Sequence, residues 1–410
     1  MKNHLVFLLL ILQFTGVFGS GQLVSYTYFK SATKADFLKV MKNNHVPKSF
    51  AKARYDVDIY DITYLTKWYD GTTIKATGLY FVPKNVKSAM PQVVFHHGTR
   101  IKPGRLPNLG GEEYMCVALA VDGYIVMMPD YIGLGRGEKF HLYQIAESEG
   151  QASVDMIFAA RELNKQLGLN TNEQLFLTGY SEGGYATLAA QKMIQEKYSA
   201  EIKVTASSAM SGAYDMAGVQ KEVMFRPYSQ PHYLPYLLRA YNEVYKVVGN
   251  DVNIIYKSPY DTLIPKLFDG KHDIRQINKA LPEIPKNMLK DTFVNLFIND
   301  PNFGFTVALK QNGVFDWKPE QPVQLCYCNA DEQVSYKNAI VAYQKMRENG
   351  AKHIILRNAG RKYNHYKCAI FSSLYTKMYF DSFRKGSKYG RRGPLCKRMI
   401  IDIAKIFIKK

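Results

Sequence analysis

Two runs of alternating apolar and polar residues, Tyr55 to Trp68 and Thr72 to Val82, flank Asp70-Gly71. A period of two marks half-buried strands and Asp-Gly marks a tight turn, so a β-hairpin is predicted. A short helix-like segment, Thr33 to Lys42, precedes it. The pattern then changes. Val93-Val94-Phe95 and Tyr124 to Met128 are short, continuously apolar strands that each end in a Gly-rich loop. A helical stretch from Leu142 to Leu167 leads to strand Gln174 to Thr178, and a helix from Glu182 to Lys197 leads to strand Ile202 to Ala206. Apolar strands alternating with helices predict an α/β fold, a mostly parallel central sheet covered on both faces.

Between Tyr214 and Pro319 the alternation stops, and Tyr, Leu and Lys mix with helical fragments broken repeatedly from Pro231 to Pro285. This segment reads as an inserted helical cap or lid. The alternation resumes with Val323 to Cys328, a helix from Tyr336 to Asn349, strand His353 to Leu356 and a last helix from Tyr366 to Phe383. The organisation expected is a leader over 1–19, a core over 20–213 and 320–384, a cap over 214–319 and a basic tail over 385–410. The 410 residues, 47% hydrophobic, suffice for a large core.

The leader reading rests on Lys2, the apolar run Leu5 to Phe14 broken only by Gln13, and the small residues Gly16, Gly19 and Ser20. It resembles a signal peptide cleaved near Gly19, too short to span a bilayer comfortably. The expected location is secreted or extracytoplasmic, and the lack of an Asn-x-Ser/Thr acceptor fits a bacterial exported protein. The net charge of +19 raises the question of nucleic acid, but no nucleic-acid module is recognisable. Nine Lys/Arg and one acid lie between Lys385 and Lys410. There Arg398, Asp402, Lys405 and Lys409 share one helical face, and Met399, Ile400, Ile403, Ile406 and Phe407 fall mostly on another. The tail is expected either to pack on the core or to lie on an anionic membrane surface as a peripheral contact.

The chemistry centres on Gly179-Tyr180-Ser181-Glu182-Gly183, with a predicted strand before it and a helix after it. That context holds a serine in a strained turn, its hydroxyl above the sheet near the positive end of a helix dipole. Ser181 is the expected nucleophile. A hydroxyl needs a base, and in this arrangement the order is serine, acid, histidine. Only His353 and His365 follow the resumed sheet. His353 sits at the start of a strand. His365 follows the polar loop Asn358 to Asn364, past the carboxyl end where sites gather in such sheets. His365 is the expected base. Asp331, the first carboxylate after strand Val323 to Cys328, is the expected orienting acid; Glu332 is the runner-up, and a helix-capping role is the plainer alternative for Asp331. The two oxyanion donors are expected at the amides of Glu182 and of Thr99, or Arg100, in His96-His97-Gly98-Thr99-Arg100. Adjacent histidines on a strand point to opposite faces, so His96 and His97 make a poor joint metal site. His97 is expected to orient the loop.

His-Gly-Thr, Pro129-Asp130-Tyr131-Ile132-Gly133-Leu134-Gly135, Gly-Tyr-Ser-Glu-Gly-Gly, Asn-Ala-Asp-Glu-Gln-Val and Asn364-His365, in this order, resemble the α/β-hydrolase superfamily over Tyr55 to Phe383. More narrowly the chain resembles the secreted lipase/esterase branch, whose His near a Tyr corresponds to His141-Leu142-Tyr143. The resemblance implies hydrolysis of small-molecule or lipid carboxylic esters with no metal or organic cofactor. Glu182 departs from the pattern, where relatives often carry Gln or a small residue. Its carboxylate is expected to face solvent, or else to meet a cationic or polar acyl group.

If Asp331 and His365 are neighbours, Cys328, three residues before the one, and Cys368, three after the other, are brought close. Cys328 or Cys326 is expected to pair with Cys368 or Cys396, and Cys116 to be a buried thiol. Three functions compete: an esterase or lipase, a serine peptidase on the same scaffold, and a non-catalytic protein that kept the fold. The three candidate residues Ser181, Asp331 and His365 argue against the last.

Overall fold

A computed structural model describes residues 20–43, 52–104, 108–249, 254–390 and 393–407. The leader expected over 1–19 lies outside them. The first element lies outside those the sequence pattern predicts: strand β1 (Leu23–Ala32), followed by helix α1 (Lys34–Asn43). β1 contains Val24, Tyr26, Tyr28 and Phe29, all good strand formers, but as an edge strand it leaves them exposed or half-buried, so no alternation of buried and exposed positions marks it. It pairs antiparallel with β2 (Val57–Lys67), which pairs antiparallel with β3 (Thr73–Pro83). Gly71, with φ of 88°, turns the hairpin between them.

β3 is joined antiparallel to β5 (Ile125–Pro129), and from there the sheet is parallel through β4 (Met90–His96), β6 (Thr171–Tyr180), β7 (Ala206–Met210), β8 (Val323–Cys328) and β9 (Ile354–Gly360). The nine-strand order is β1-β2-β3-β5-β4-β6-β7-β8-β9. Two strands depart from expectation. β7 starts at Ala206, where the Ile202 to Ala206 run ends, because it aligns with β6 at Phe176↔Ala206. Its Ala-Ser-Ser-Ala-Met sequence is buried through hydrogen bonds rather than apolar bulk: Ser207 donates to Gln191, and Ser208 bonds Thr376 at 2.7 Å. β9 runs on through Asn358 to Gly360, which shortens the loop before His365.

Helices α2 (Gly111–Ala120), α3 (Ala146–Gln166), α4 (Glu182–Lys197), α10 (Lys337–Glu348) and α11 (His365–Arg384) cover the sheet. Alternation along β4 divides the core. Val93 and Phe95 pack with α2 and α11, whereas Val94 packs with α3 and α4. This is the α/β-hydrolase fold. Between β7 and β8 lie α5 (Tyr233–Tyr245), α6 (Tyr260–Leu267), α7 (Ile274–Ala280), α8 (Asp291–Asn299) and α9 (Gly304–Gln311), with their own apolar cluster. That cluster includes Tyr236, Leu237, Phe293 and Phe305 and reaches Ile132 and Tyr143 of the sheet loops.

The last helix, α12 (Leu395–Phe407), buries Ile401 in the core while Leu395, Met399 and Ile403 stand exposed. No helix among the described residues is long and apolar enough to cross a membrane.

Candidate active site

Ser181 directly follows β6 and caps α4 with φ of 60° and ψ of −122°, a positive-φ conformation that a side-chain-bearing residue adopts only under constraint. The constraint is visible around it. A Cβ at Gly179 would come within 2.5 Å of the His96 carbonyl oxygen, one at Gly183 within 2.0 Å of it, and one at Gly184 within 2.4 Å of the Met210 carbonyl oxygen. Only hydrogen fits at these three positions, so the glycines let the backbone close on itself and lift Ser181.

His365 is the first residue of α11, placed there by Asn364, whose side chain accepts from the Lys367 amide at 3.0 Å. Its Nε2 lies 2.9 Å from Ser181 Oγ, and its Nδ1 lies 2.9 Å from both carboxylate oxygens of Asp331. Asp331 also accepts from the amides of Gln333 at 3.1 Å and Val334 at 2.9 Å, so it holds the turn as well as the imidazole. The runner-up Glu332 holds the backbone instead, accepting from the His365 amide at 3.0 Å. The Tyr180 hydroxyl donates to the His365 carbonyl. A disulfide joins Cys328, at the end of β8, to Cys368 in the first turn of α11, while Cys116 and Cys326 are free and buried and Cys396 is free and exposed. His353 lies apart, stacked on Tyr389 at 3.7 Å.

The Gly98 loop runs against the Ser181 turn: a Cβ there would be 3.6 Å from Ser181 Cβ. His97 bonds the carbonyls of Gly98 at 2.7 Å and Asp130 at 3.2 Å, and burial holds its pKa well below the usual histidine range. His96 faces the core instead, bonded to Ser153 and Thr187, its pKa pushed down to about 3 by burial. The Thr99 hydroxyl contacts Tyr143 at 3.3 Å; Arg100 is drawn aside into an ion pair with Glu113 at 2.7 Å.

Two features escape the sequence pattern. Glu112 accepts from the Gly98 amide with both carboxylate oxygens at 2.9 Å, and burial raises its pKa to about 7. Glu182 faces neither solvent nor a substrate pocket. Its side chain is fully buried, with Oε1 2.5 Å from His141 Nε2. The expectation of a solvent-facing carboxylate is corrected: α4 turns its first residue under the sheet loops, toward the His-Leu-Tyr segment.

Two cavities meet at Ser181. A narrow one of about 70 Å³ is lined by Ala213, Met216, Met224, Leu237 and Phe297 among others. A wider cleft of about 750 Å³ lies toward α1, α2 and α11 and contains Thr99, Glu112, Lys377 and His365.

The model of the secretory lipase family matches residues 108–373, well over half of the chain. The chain belongs to that family. As a secretory lipase family member it is 25% identical over 202 residues to Lipase 1 of Candida albicans, a match covering 45% of this chain and 41% of that protein. The chain thus spans less than half the length of this curated relative. Among solved structures it is similar to a Legionella pneumophila protein described as a hydrolase, with 29% identity and a TM-score of 0.83 over 89% of this chain and 99% of that one. The rice cell wall degrading esterase LipA of Xanthomonas oryzae shares the fold at 22% identity, with a TM-score of 0.79 over 90% and 99% of the two chains. Candida antarctica lipase A shares it at 16% identity, with a TM-score of 0.69 over 92% and 84%.

Proposed function

We propose that this protein is a secreted serine hydrolase that cleaves carboxylic esters through an acyl-enzyme on Ser181. The observation that carries the reading is the hydrogen-bonded line from Ser181 Oγ through His365 to Asp331. Asp331 accepts Nδ1–H and so fixes the tautomer, leaving Nε2 to take the serine proton as Oγ attacks the ester carbonyl. The amides of Glu182 and Thr99 receive the developing oxyanion. Neither amide has a hydrogen-bond partner among the described residues. His365 then returns its proton to the departing alcohol, and a water it activates releases the acid. Family membership supports a lipase or esterase activity.

Residues 214–319 act as a cap in this reading. Its side chains, mostly apolar, line the narrow pocket at Ser181, which suits an acyl chain, and among the described residues no carboxylate lines that pocket. This supports an ester over a peptide with a free amino terminus. The alcohol leaves through the wider cleft, and no organic cofactor or metal enters the scheme. The leader over 1–19 directs export. The exposed Leu395, Met399 and Ile403, beside a basic tail, suit contact with an anionic lipid surface. Sedimentation with anionic against neutral vesicles tests that contact.

The deciding experiment is a panel of p-nitrophenyl esters and aminoacyl-p-nitroanilides, with Ser181→Ala as control. Ester turnover that drops by about 10⁴-fold or more on the substitution, with loss of fluorophosphonate labelling, is the expected result. Turnover that survives it overturns the mechanism. Faster cleavage of the anilides moves the assignment to a peptidase.

A further inference from the structure

Behind Ser181, the buried side chains of His141, Glu149 and Glu182 meet, with one nitrogen or oxygen of each within 4.8 Å of the others. His141 Nδ1 lies 3.1 Å from the Ile132 carbonyl and must carry a proton to donate to it. Nε2 therefore holds the lone pair of the neutral ring, and it faces Glu182 Oε1 at 2.5 Å. Two lone pairs do not approach that closely without something positive between them. Glu149 Oε1 accepts from the Gln144 amide at 2.7 Å. That leaves Oε2 of Glu149 and Oε2 of Glu182, both buried and both without a partner among the described residues.

Tyr131, Tyr143 and Tyr236 pack on His141, and the hydroxyls of Tyr185 and Tyr241 both donate at 3.0 Å to the carbonyl of Gln144, the residue whose amide holds Glu149. Neither carboxylate has a Lys or Arg ion pair among the described residues. With no bound positive charge the site would carry two negative charges in a medium that cannot solvate them. Two positive charges neutralise it. We propose that these are two protons, one between His141 Nε2 and Glu182 Oε1 and one between the two Oε2 atoms, and that the resulting His141–Glu182–Glu149 chain is a positioning device. It gives both unpartnered Oε2 atoms a hydrogen-bond partner. Burial and the neighbouring Glu182 also raise the Glu149 carboxyl well above the usual range.

The consequence lies one covalent step away. Glu182 follows Ser181, and its amide is one of the two donors assigned above to the oxyanion. A side chain tied inward at both oxygens fixes that peptide, so Glu149 and His141 act on catalysis without touching substrate. This consequence rests on the serine-hydrolase reading; the protonation state does not.

The test uses infrared spectroscopy of the full-length protein at pH 9, where Glu112 (about 7) and Asp155 (about 6) are ionised. The expected result is a carboxylic-acid carbonyl band in the wild type that is absent in Glu149→Gln, from protein holding less than about a tenth of an equivalent of divalent metal. Absence of the band overturns the proposal. So does one equivalent of tightly bound metal that Glu149→Gln loses. Kinetics test the positioning role. Glu149→Gln, a neutral donor of the same shape, stays within about threefold of wild-type kcat, while Glu149→Ala loses about tenfold or more in kcat with KM little changed. Equal kcat for the two overturns positioning. If Glu149→Ala fails to fold, the band and the kcat of Glu149→Gln still decide. If the chain hydrolyses no ester, the infrared and metal readouts stand apart from that failure.

Discussion

Glu332 Oε2 accepts a hydrogen bond from the backbone amide of His365 at 3.0 Å, so the residue beside Asp331 holds the backbone from which the His365 imidazole projects. Asp331 fixes the imidazole and Glu332 fixes its peptide. The pair therefore ties the start of α11 to the end of β8 by two independent bonds. Glu332→Ala is expected to lower kcat/KM by about tenfold, the scale of one charge-assisted hydrogen bond, with most of the loss in kcat. Glu332→Gln retains an acceptor and should recover most of the rate. Steady-state kinetics on one ester check this, and an Ala variant as fast as wild type would show that Glu332 holds nothing.

The Cys328–Cys368 bond closes a loop of 40 residues across the same junction. Chain-entropy arithmetic for such a loop gives about 4 kcal/mol of stabilisation. The double variant Cys328→Ser/Cys368→Ser should therefore melt markedly earlier, and it should lose activity before it loses secondary structure. Circular dichroism melts alongside activity assays at rising temperature test both statements. Coincident loss of the two signals would refute local loosening.

Much of this could be read from the residues, for reasons specific to them. Ser181 is legible because a strand-to-helix turn leaves little choice of residue at Gly179 and Gly183, where a Cβ would strike carbonyl oxygens. The proximity of His365 follows from the scarcity of histidines after β8. The misses share a different cause. β7 hides its burial behind serines whose partners, Gln191 and Thr376, are far away in sequence. β1 is an edge strand whose Val24, Tyr26, Tyr28 and Phe29 stay exposed or half-buried, so its apolar residues mark no core face. Glu112, half-buried, and Glu182, fully buried, are charged residues held by a backbone amide and a histidine brought in by folding; no local pattern encodes either.

Glu112 supplies a pH dependence. Burial raises its pKa to about 7 in the folded protein, against the lower value of an exposed glutamate, although the Gly98 amide pulls the other way. A raised folded pKa means the folded state holds the proton more tightly than the unfolded one. The contribution to stability is thus fully present below the unfolded pKa and is lost as pH rises through about 7. Glu112→Gln abolishes this titration. Its melting temperature relative to wild type should rise between pH 5 and pH 8, and a difference that stays flat across that window would show that Glu112 does not titrate there.

The narrow cavity sets an expectation for chain length. At about 70 Å³ it is roughly a tenth of the wider cleft, about 750 Å³. Short acyl chains should therefore be cleaved fastest, with a fall towards the long chains, which need the cap to open or stay partly in water. Leu237 lines this cavity and is buried, so Leu237→Ala lengthens it without touching Ser181 or His365. The optimum should move by about two carbons towards longer esters, because the side chain removed is about three methyl-sized groups. In the other direction, Ala213→Leu should confine turnover to acetate and propionate esters. A p-nitrophenyl ester series from two to sixteen carbons measures all three proteins. If the wild type hydrolyses the butyrate and palmitate esters equally well and Leu237→Ala leaves that profile unchanged, the acyl chain does not occupy this cavity, and the wider cleft lined by α2 and α11 takes its place.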